Sequence, residues 1–521
     1  MKDGVLSLAG MFFAALGVVA CCAGCSAKKA GRPGVVHAVA WSDGTWIRDT
    51  QGRVIIVHGM NVNDPAKHPP YLPFTDTVIT GETLDQNLEQ NFARLRGLGL
   101  NAVRLIVVWA ALEPTPGVID TGYLDRVQQE VQACKDNGLW VLIDMHQDLY
   151  SESFCDGDGA PAWACVLGGY SPTECSTTWA ANYGLPQVLQ SFQDLWDDRA
   201  APDGTGLQEH YAAVFQAVAQ RFSSTSNVLG YEIMNEPFPG KDYPLTSPDF
   251  ETKGLVPFYE KMIRAIRAVD PYHIIAFEPS VVLTNLLNSY KTAISGTTFP
   301  EEFPNLVFVP HFYPLSINPS YGTDTTIIVP SFTQIRDDGT AMRVPCVVDE
   351  TGTGYSSPGS AAYMVTLLND FDLFDAGWFD WDYNTVNDDN MSPYYPDGTP
   401  RPLVDQTGGP VFDGIDVLSR PYPMLTAGTP VSISYPVTID PSTFTTTAFT
   451  YTYKEDGIGT GQTEIFIPPL HFPGGFTVTT TDGSVSFDPA TDVLGYAKGR
   501  LSVHTITVAS CPPGATGCFS F

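Results

Sequence analysis

Residues 227–237 read NVLGYEIMNEP, and residues 344–352 read VPCVVDETG. In each stretch an apolar run passes directly into a carboxylate, which is Glu236 in the first and Glu350 in the second. Short apolar runs of this kind predict strands that are buried on both faces. Each predicted strand therefore delivers one carboxylate at its C-terminal end, where barrel folds carry their functional residues.

Eight apolar runs of this type lie between residues 50 and 385. They are Val54–His58, Ala102–Val108, Trp140–Met145, Val228–Met234, Ile274–Glu278, Leu306–His311, Val344–Asp349 and Gly377–Asp382. Amphipathic helical repeats separate several of them, for example over residues 207–222. The alternation of strand and helix predicts an α/β fold with a (β/α)8 TIM barrel. A doubly wound sheet would place a Gly-rich phosphate turn early in the chain, and the sequence has none there.

The sequence changes character between Gly408 and Gly428, and the region beyond predicts a C-terminal β-sandwich. Its short alternating runs are Val431–Tyr435, Thr447–Tyr453, Thr463–Ile467, Phe476–Thr480 and Leu501–Val508. We therefore predict a barrel over residues 38–412 and a sandwich over residues 421–521. The long insertion Gln147–Gly206 is expected to form a lid or a wall of the substrate site, because long loops in compact domains are usually functional.

The first 29 residues are typical of a signal peptide. Lys2 precedes a mostly apolar stretch from Leu6 to Ala23. Val18–Cys21 and Cys22–Cys25 both resemble the cleavage box of bacterial lipoproteins, which leaves lipid attachment open. We expect a secreted or extracellular protein, with anchoring to a bacterial cell surface as the open alternative.

The net charge and the cysteine content limit the partners and cofactors that we expect. The 521-residue chain has a formal net charge of -30, which excludes nucleic acid and anionic membranes as expected partners. Cys134 and Cys346 are expected to be buried thiols, and no cysteine spacing matches a zinc site, so we expect no metal and no organic cofactor. In an exported protein, two short loops predict local disulfides among Cys155, Cys165, Cys175, Cys511 and Cys518.

Glu236 and Glu350 suit the pair of carboxylates that breaks a glycosidic bond. A general acid must hold its proton near neutral pH, so Glu236 needs surroundings that raise its pKa. Asn235 beside it can bind a sugar 2-hydroxyl. Glu350 must stay ionised as the nucleophile, and Arg104, predicted at the end of the second strand, can keep it charged. The alternative interpretation is an acid that caps a strand end and an ion pair at the barrel rim.

Further polar and aromatic residues are predicted at strand ends, at the same edge of the barrel. A single His or Trp at such a place is more often a core residue. Here they extend to six of the eight predicted strands, which favours one substrate-binding site. The candidates are Lys67, Arg104, His146, Asp148, Asn235, His311, Tyr313 and Trp381.

The chain resembles glycoside hydrolase family 5, of the large retaining (β/α)8 clan, over about residues 40–410. The resemblance implies Glu236 as the acid/base, Glu350 as the nucleophile and net retention of anomeric configuration. Its motifs are Arg104, His146, Asn235-Glu236-Pro237, His311-Phe312-Tyr313, Glu350 and Trp381.

Residues 144–151 (DMHQDLYS) are similar to a motif of the endoglycoceramidases within that family, which cut between an oligosaccharide and ceramide. Asn61–Asn63 and Lys67–Tyr71 are similar to their first loop, and the predicted β-sandwich is a shared feature. The resemblance implies that Lys67 and Asp148 hydrogen-bond hydroxyls of the glucose next to the cut.

The expected activity is retaining endo-hydrolysis of glycosphingolipids by a monomer that can contact lipid surfaces or micelles. The alternatives with the same residues are exo-acting glucosylceramide, steryl-glucoside or β-glucan hydrolysis. A binding protein without catalysis is disfavoured, because it would need neither Glu236 nor Glu350. Burying each methylene of a lipid tail contributes about 0.8 kcal/mol, and the candidates for a lipid groove are Trp163, Val166, Leu167, Tyr170, Trp179, Tyr394 and Tyr395.

Overall fold

The computed structural model describes residues 39–521 apart from residues 63–65, 74–83, 246, 283–288, 314–327, 376, 385–389, 435–436 and 440–443. The predicted signal peptide, residues 1–29, lies outside the described residues. Within the described part of the chain, no helix combines the length and the apolar character needed to cross a membrane.

Three short strands precede the barrel: β1 (Trp41–Ser42), β2 (Ile47–Arg48) and β3 (Val54–Ile55). Eight parallel strands then form the barrel, as predicted. They are β4 (His58–Val62), β5 (Ala102–Val108), β6 (Trp140–His146), β7 (Val228–Glu232), β8 (Ile274–Phe277), β9 (Leu306–Phe308), β10 (Val347–Thr351) and β11 (Gly377–Tyr383).

The barrel strands pair in the order β10-β11-β4-β5-β6-β7-β8-β9. The ring closes between β9 and β10 through backbone hydrogen bonds. The amide nitrogen of Phe308 donates to the carbonyl oxygen of Pro345 at 2.9 Å, and that of Phe312 donates to the carbonyl oxygen of Glu350 at 2.8 Å. The second of these bonds lies near the C-terminal end of β10 and involves Glu350 itself.

Helices alternate with the barrel strands because their apolar residues recur on one face. In the sixth helix, for example, Phe258, Met262 and Ile266 are all buried. The helices are α1 (Leu84–Gly97), α2 (Trp109–Leu112), α3 (Thr121–Asp136), α4 (Pro186–Trp196), α5 (Leu207–Phe222), α6 (Val256–Arg267), α7 (Phe299–Glu302), α8 (Ile328–Met342) and α9 (Ser360–Leu373).

In its described residues, the C-terminal region follows the barrel with one short helix and twelve strands. They are β12 (Pro402–Val404), β13 (Pro410–Asp413), α10 (Gly414–Leu418), β14 (Tyr422–Thr426), β15 (Thr429–Ser434), β16 (Val437–Ile439), β17 (Phe444–Thr446), β18 (Ala448–Lys454), β19 (Thr463–Phe466), β20 (Phe476–Thr480), β21 (Ser484–Asp488), β22 (Val493–Ala497) and β23 (Val503–Ser510).

Two antiparallel sheets of this region enclose a common core, which confirms the predicted sandwich. One has the strand order β1-β2-β3-β14-β19-β22-β21, and the other has the order β15-β18-β23-β20. Tyr451 and Ile506 of the second sheet pack in the same cluster as Ile465 and Leu494 of the first.

The first barrel strand differs from the predicted one. The sequence predicted Val54–His58 as that strand and residues 38–412 as the barrel, but β3 pairs with β14 in the sandwich and the barrel begins only with β4. Residues 54–58 are all buried, although some belong to the sandwich sheet and others to the barrel. Their apolar pattern therefore does not distinguish the two sheets. The sandwich therefore takes strands from both ends of the described chain.

The cysteines of the insertion and of the C-terminal loop form two local disulfides, Cys155–Cys175 and Cys511–Cys518. Among the described cysteines, Cys165 is left as a partly buried thiol. Cys134 is buried as expected, whereas Cys346 is partly exposed because it precedes β10 instead of lying within it.

The sandwich packs against the N-terminal ends of the barrel strands. The His58 ring stacks on Tyr422 at 3.6 Å between centroids and contacts the Trp378 ring at 4.5 Å. The Tyr422 hydroxyl donates to the carbonyl oxygen of Gly99 at 2.8 Å. These contacts make Tyr422 a central part of the interface.

We predict that Tyr422→Ala lowers the free energy of unfolding by about 3–5 kcal/mol, because it leaves a cavity beside His58 and removes a buried hydrogen bond. Chemical denaturation measures this change. The matched control is Tyr272→Ala, whose side chain is 62% exposed and whose loss should cost less than about 0.5 kcal/mol. Equal losses in the two variants would contradict the packing described here.

Candidate active site

A cavity of about 770 Å³ opens where the barrel strands end. Arg104 and His311 lie beneath it, fully buried, in contact with the two candidate catalytic carboxyls. The structure thus brings all ten predicted site residues together. The eight that line the cavity are Lys67, His146, Asp148, Asn235, Glu236, Tyr313, Glu350 and Trp381.

Arg104 lies in the middle of β5 and not at its end, because the strand continues past it. Its Nε and Nη2 donate to the two carboxylate oxygens of Glu232 at 2.7 and 2.6 Å. Nη1 donates to Asn61 Oδ1 at 3.0 Å and to Glu350 Oε1 at 3.1 Å, and Nη2 donates to Asn235 Oδ1 at 2.8 Å. One guanidinium therefore fixes side chains from several strands.

Glu350 lies in β10 and is surrounded by groups that favour its anion. The Tyr313 hydroxyl donates to Glu350 Oε2 at 2.8 Å, and His311 Nδ1 lies 3.1 Å from the same oxygen. Burial disfavours the anion, but the charges of His311 and Arg104 outweigh it and lower the pKa of Glu350 to about 2. These surroundings therefore favour the ionised form of Glu350, which a nucleophile requires.

Glu236 follows β7 in a left-handed backbone conformation, with φ of 44°. The amide group of Gln147 donates to the carbonyl oxygens of Asn235 and Glu236 at 2.9 and 3.0 Å. The Glu236 amide nitrogen donates to Glu278 Oε1 at 2.9 Å. Burial raises the pKa of the Glu236 carboxyl, although the hydrogen bond to His311 opposes the rise.

The spacing of the two carboxyls matches one stereochemical class. One oxygen of Glu236 and one of Glu350 lie within 4.8 Å of each other. Retaining glycosidases place their carboxyls about 5–5.5 Å apart, whereas inverting enzymes need about 6.5–9.5 Å for an intervening water. Opposite pKa shifts at this distance give one acid and one nucleophile.

One wall of the cavity is polar and includes the indole ring of Trp381. Lys67 forms a close ion pair with Asp148, and its Nζ lies 3.7 Å from Asp158 Oδ2. The same Nζ lies 4.6 Å from the Trp381 ring centroid, and His146 stacks on that ring at 5.7 Å. Charged donors and acceptors beside an indole face suit the hydroxyls and the apolar face of a sugar ring.

The wall next to Glu236 is apolar. Phe238 stacks on Tyr183 at 4.6 Å between centroids, and Tyr183 packs edge-on against Trp179 at 5.6 Å. Val281 completes this side of the cavity. Trp179 is 42% exposed, so the wall continues to the protein surface.

Trp179 lines the cavity, but other candidates for the lipid groove do not reach it. Trp163 packs edge-on against Trp109 at 5.4 Å, and Tyr394 packs against Tyr383 at 5.9 Å. The Tyr170 hydroxyl accepts from the amide nitrogen of Cys155. These three aromatic residues therefore pack against neighbouring side chains and loops instead of lining the cavity.

Sequence reasoning missed residues that support the catalytic pair. Glu232, Glu278 and Asp349 are fully buried acids around Arg104 and His311. Each lies within or at the end of a predicted apolar strand, and an acid in such a run was the available signal. Asp158 and Tyr183 come from the insertion, whose sequence does not show which side chains turn inward.

Four groups near the site could hold a metal ion, since ligand atoms of Glu232, Glu278, His311 and Asp349 lie within 4.8 Å of one another. The guanidinium of Arg104 lies 2.6 Å from Glu232 and 4.0 Å from Glu278. The positive charge of Arg104 therefore already lies where a bound cation would neutralise these carboxylates. The arrangement fits a proton-sharing cluster better than a metal site.

Comparisons with known proteins identify relatives of both parts of the chain. The family model described as Cellulase (glycosyl hydrolase family 5) matches residues 63–386, and that of the Glycoside hydrolase family 5 C-terminal domain matches residues 420–508. The chain is 29% identical over 491 residues to endoglycoceramidase I of Rhodococcus hoagii (strain 103S), covering 91% of this chain and 89% of that protein.

Solved structures of endoglycoceramidase II from Rhodococcus sp. share the fold of this chain. Its ganglioside GM3 complex gives a TM-score of 0.72 at 27% identity, covering 90% of this chain and 100% of that one. Its lactosyl-enzyme intermediate gives a TM-score of 0.71 at 28% identity, with the same coverage.

We predict that Tyr313→Phe moves the acidic limb of the pH profile of aryl β-lactoside hydrolysis to higher pH. Losing the donated hydrogen bond raises the pKa of Glu350, and catalysis requires the ionised form, so activity at low pH is lost first. We also expect kcat/KM to fall about 10- to 100-fold, as for a hydrogen bond to a charged group.

The matched control is Tyr211→Phe, which removes another buried tyrosine hydroxyl, one that donates to the carbonyl oxygen of Ile233. Its acidic limb should stay in place. An unchanged limb in Tyr313→Phe would show that Tyr313 does not stabilise the Glu350 anion.

Proposed function

The chain belongs to glycoside hydrolase family 5, and on that basis we propose that it is a retaining endoglycosidase that releases oligosaccharide from ceramide in glycosphingolipids. The observation that carries the mechanism is the close pair of buried carboxyls, in which the pKa of Glu236 is raised and that of Glu350 is lowered.

In the first step, ionised Glu350 attacks the anomeric carbon while Glu236 donates its proton to the departing oxygen. The glycosidic bond breaks, ceramide leaves as an alcohol, and a glycosyl ester forms on Glu350. In the second step, Glu236 removes a proton from water, which attacks the same carbon and frees the Glu350 carboxylate. Two inversions give net retention.

We assign the two parts of the substrate to two walls of the cavity, which meet where the Tyr183 hydroxyl donates to Asp148 Oδ1 at 3.5 Å. Glu236 protonates the leaving oxygen, so the leaving group lies on its side, beside Tyr183 and Phe238. This wall is aromatic and apolar, which suits a lipid, since each buried methylene contributes about 0.8 kcal/mol. Lys67 and Asp148 lie on the polar wall and suit the hydroxyls of the sugar next to the cut.

The relatives support the same substrate class. Endoglycoceramidase I aligns over most of the chain, and the related endoglycoceramidase II has been solved with ganglioside GM3 and as a lactosyl-enzyme intermediate. A covalent lactosyl intermediate is what a retaining mechanism requires.

We also propose that the protein is exported and acts as a monomer on lipid surfaces or micelles. The signal-like sequence of residues 1–29 supports export, as do two disulfides, which persist in oxidising compartments. Trp179, exposed at the edge of the apolar wall, supports contact with a lipid aggregate.

We predict that the wild-type protein converts GM3 ganglioside and lactosylceramide into intact oligosaccharide and free ceramide, as measured by mass spectrometry of both products. Glu350→Gln should abolish both cleavages, because it removes the nucleophile. Glu236→Gln should lose lactosylceramide cleavage while still forming the glycosyl-enzyme from an aryl lactoside, whose leaving group needs no proton.

Glu130→Gln is the matched control, because Glu130 is a buried glutamate on α3 away from the cavity. It should keep wild-type products. Stepwise release of single sugars would replace the endo activity with an exo activity, and cleavage confined to lipid-free glucosides would point to a β-glucanase.

A further inference from the structure

Glu278 follows β8 and is 1% exposed. Its side chain lies beneath the active site and is not part of the cavity lining. The Tyr259 hydroxyl donates to its backbone carbonyl oxygen at 2.9 Å, which ties the residue to α6. Glu278 is therefore a fixed group that a bound substrate does not reach.

The first contact of Glu278 is with the backbone of Glu236. Glu278 Oε1 accepts a hydrogen bond from the Glu236 amide nitrogen at 2.9 Å. Glu236 has φ of 44°, a left-handed conformation that residues other than glycine adopt at a cost and keep only when their surroundings enforce it. An acceptor fixed on the neighbouring strand supplies that enforcement from outside the Glu236 loop.

The second contact is with His311, which joins three carboxyls. Its Nε2 lies 3.2 Å from Glu278 Oε1, while its Nδ1 lies 2.8 Å from Glu236 Oε1 and 3.1 Å from Glu350 Oε2. A group that interacts with one ring nitrogen of a histidine influences whether the other nitrogen carries a proton. The state of Glu278 therefore reaches both catalytic carboxyls through one imidazole.

We propose that Glu278 is a positioning residue for the acid/base Glu236, acting on its backbone amide directly and on its carboxyl through His311. This inference rests on the proposed function, in which Glu236 is the acid/base. It adds a third buried carboxyl to the catalytic pair, one that contacts no substrate atom and acts in both chemical steps.

The charges around Glu278 are consistent with this role. Burial lowers the pKa of His311, but Glu278 and Glu350 outweigh it and raise that pKa well above its ordinary value. Burial and the negative charge of Glu232 raise the pKa of Glu278 itself to about 8, although the positive charges of His311 and Arg104 oppose this rise. Where Glu278 is ionised, its negative charge therefore stabilises the positive charge of His311, whose Nε2 it faces at 3.2 Å.

Two variants of Glu278 distinguish its contact with the Glu236 amide from its contact with His311. Glu278→Gln keeps an oxygen for the Glu236 amide but cannot ionise, so His311 loses its proton at lower pH and no longer lowers the pKa of Glu236. The alkaline limb of kcat/KM, which reports loss of the acid's proton, should then move to higher pH. Glu278→Ala removes both contacts, and its kcat on lactosylceramide should fall about 10- to 100-fold with KM within about twofold.

Azide tests the second step. With 2,4-dinitrophenyl β-lactoside the leaving group needs no acid, so a misplaced Glu236 slows the hydrolysis of the glycosyl-enzyme. Azide attacks the anomeric carbon without a base, the ester bond to Glu350 breaks, and lactosyl azide forms. We expect azide to raise the turnover of Glu278→Ala several-fold and to leave the wild-type rate unchanged.

Glu130→Gln is again the control, because Glu130 is 4% exposed and burial raises its pKa to about 8, as for Glu278. It should match wild type in every assay. Glu278 variants that behave like this control would overturn the inference. So would an equal loss on both substrates without azide rescue, which indicates general damage to the fold. A wild-type protein that cleaves neither substrate would overturn the proposed function and this inference with it.

Discussion

The ion pair between Arg104 and Glu232 at the centre of the barrel is the constraint on which the active site depends. Both side chains are completely buried, and a buried charge is tolerated only when it is paired and hydrogen-bonded. The remaining donors of the guanidinium reach Asn61, Asn235 and Glu350, so neutralising Glu232 also fixes residues from β4 and β10 and the residue before Glu236. Glu236 and Glu350, the proposed acid/base and nucleophile, take their positions from the same cation.

The buried cluster around Arg104 contains more acidic groups than cationic groups. The carboxyls therefore cannot all be ionised at once, and their pKa values differ. Burial raises the pKa of Asp349 well above its ordinary value, whereas the charges of His311 and Arg104 lower that of Glu350 to about 2, so Asp349 holds a proton where Glu350 does not. The sequence could predict Glu236 and Glu350, because polar residues at strand ends face a barrel site. It could not predict Glu232 as their support, because an acid inside an apolar strand is read locally as part of that strand.

The barrel was predictable because each strand is a short apolar run and the helices between them repeat on one face. The error lay at its beginning, where β3 and β4 form a continuous buried stretch that belongs to two sheets. Nothing local separates them, because the pairing of β3 with β14 joins residues far apart in sequence. The insertion was predictable as a wall of the site, with Trp179 among its candidates, but Tyr183 could be assigned to that wall only after the chain path was known.

One end of the barrel is packed for stability, and the other end carries the candidate active site. At the N-terminal ends of the strands, Ile47 and Ile55 pack with Ala102 and Leu142 in one cluster, so strands of the sandwich sheet close the bottom of the barrel. The opposite end is open and carries a cavity, a left-handed Glu236 and a cluster of buried acids. Such groups weaken a fold locally and must be supported elsewhere. A sandwich built from both ends of the chain, packed beneath the strands that bear the catalytic pair, supplies that support without approaching the substrate.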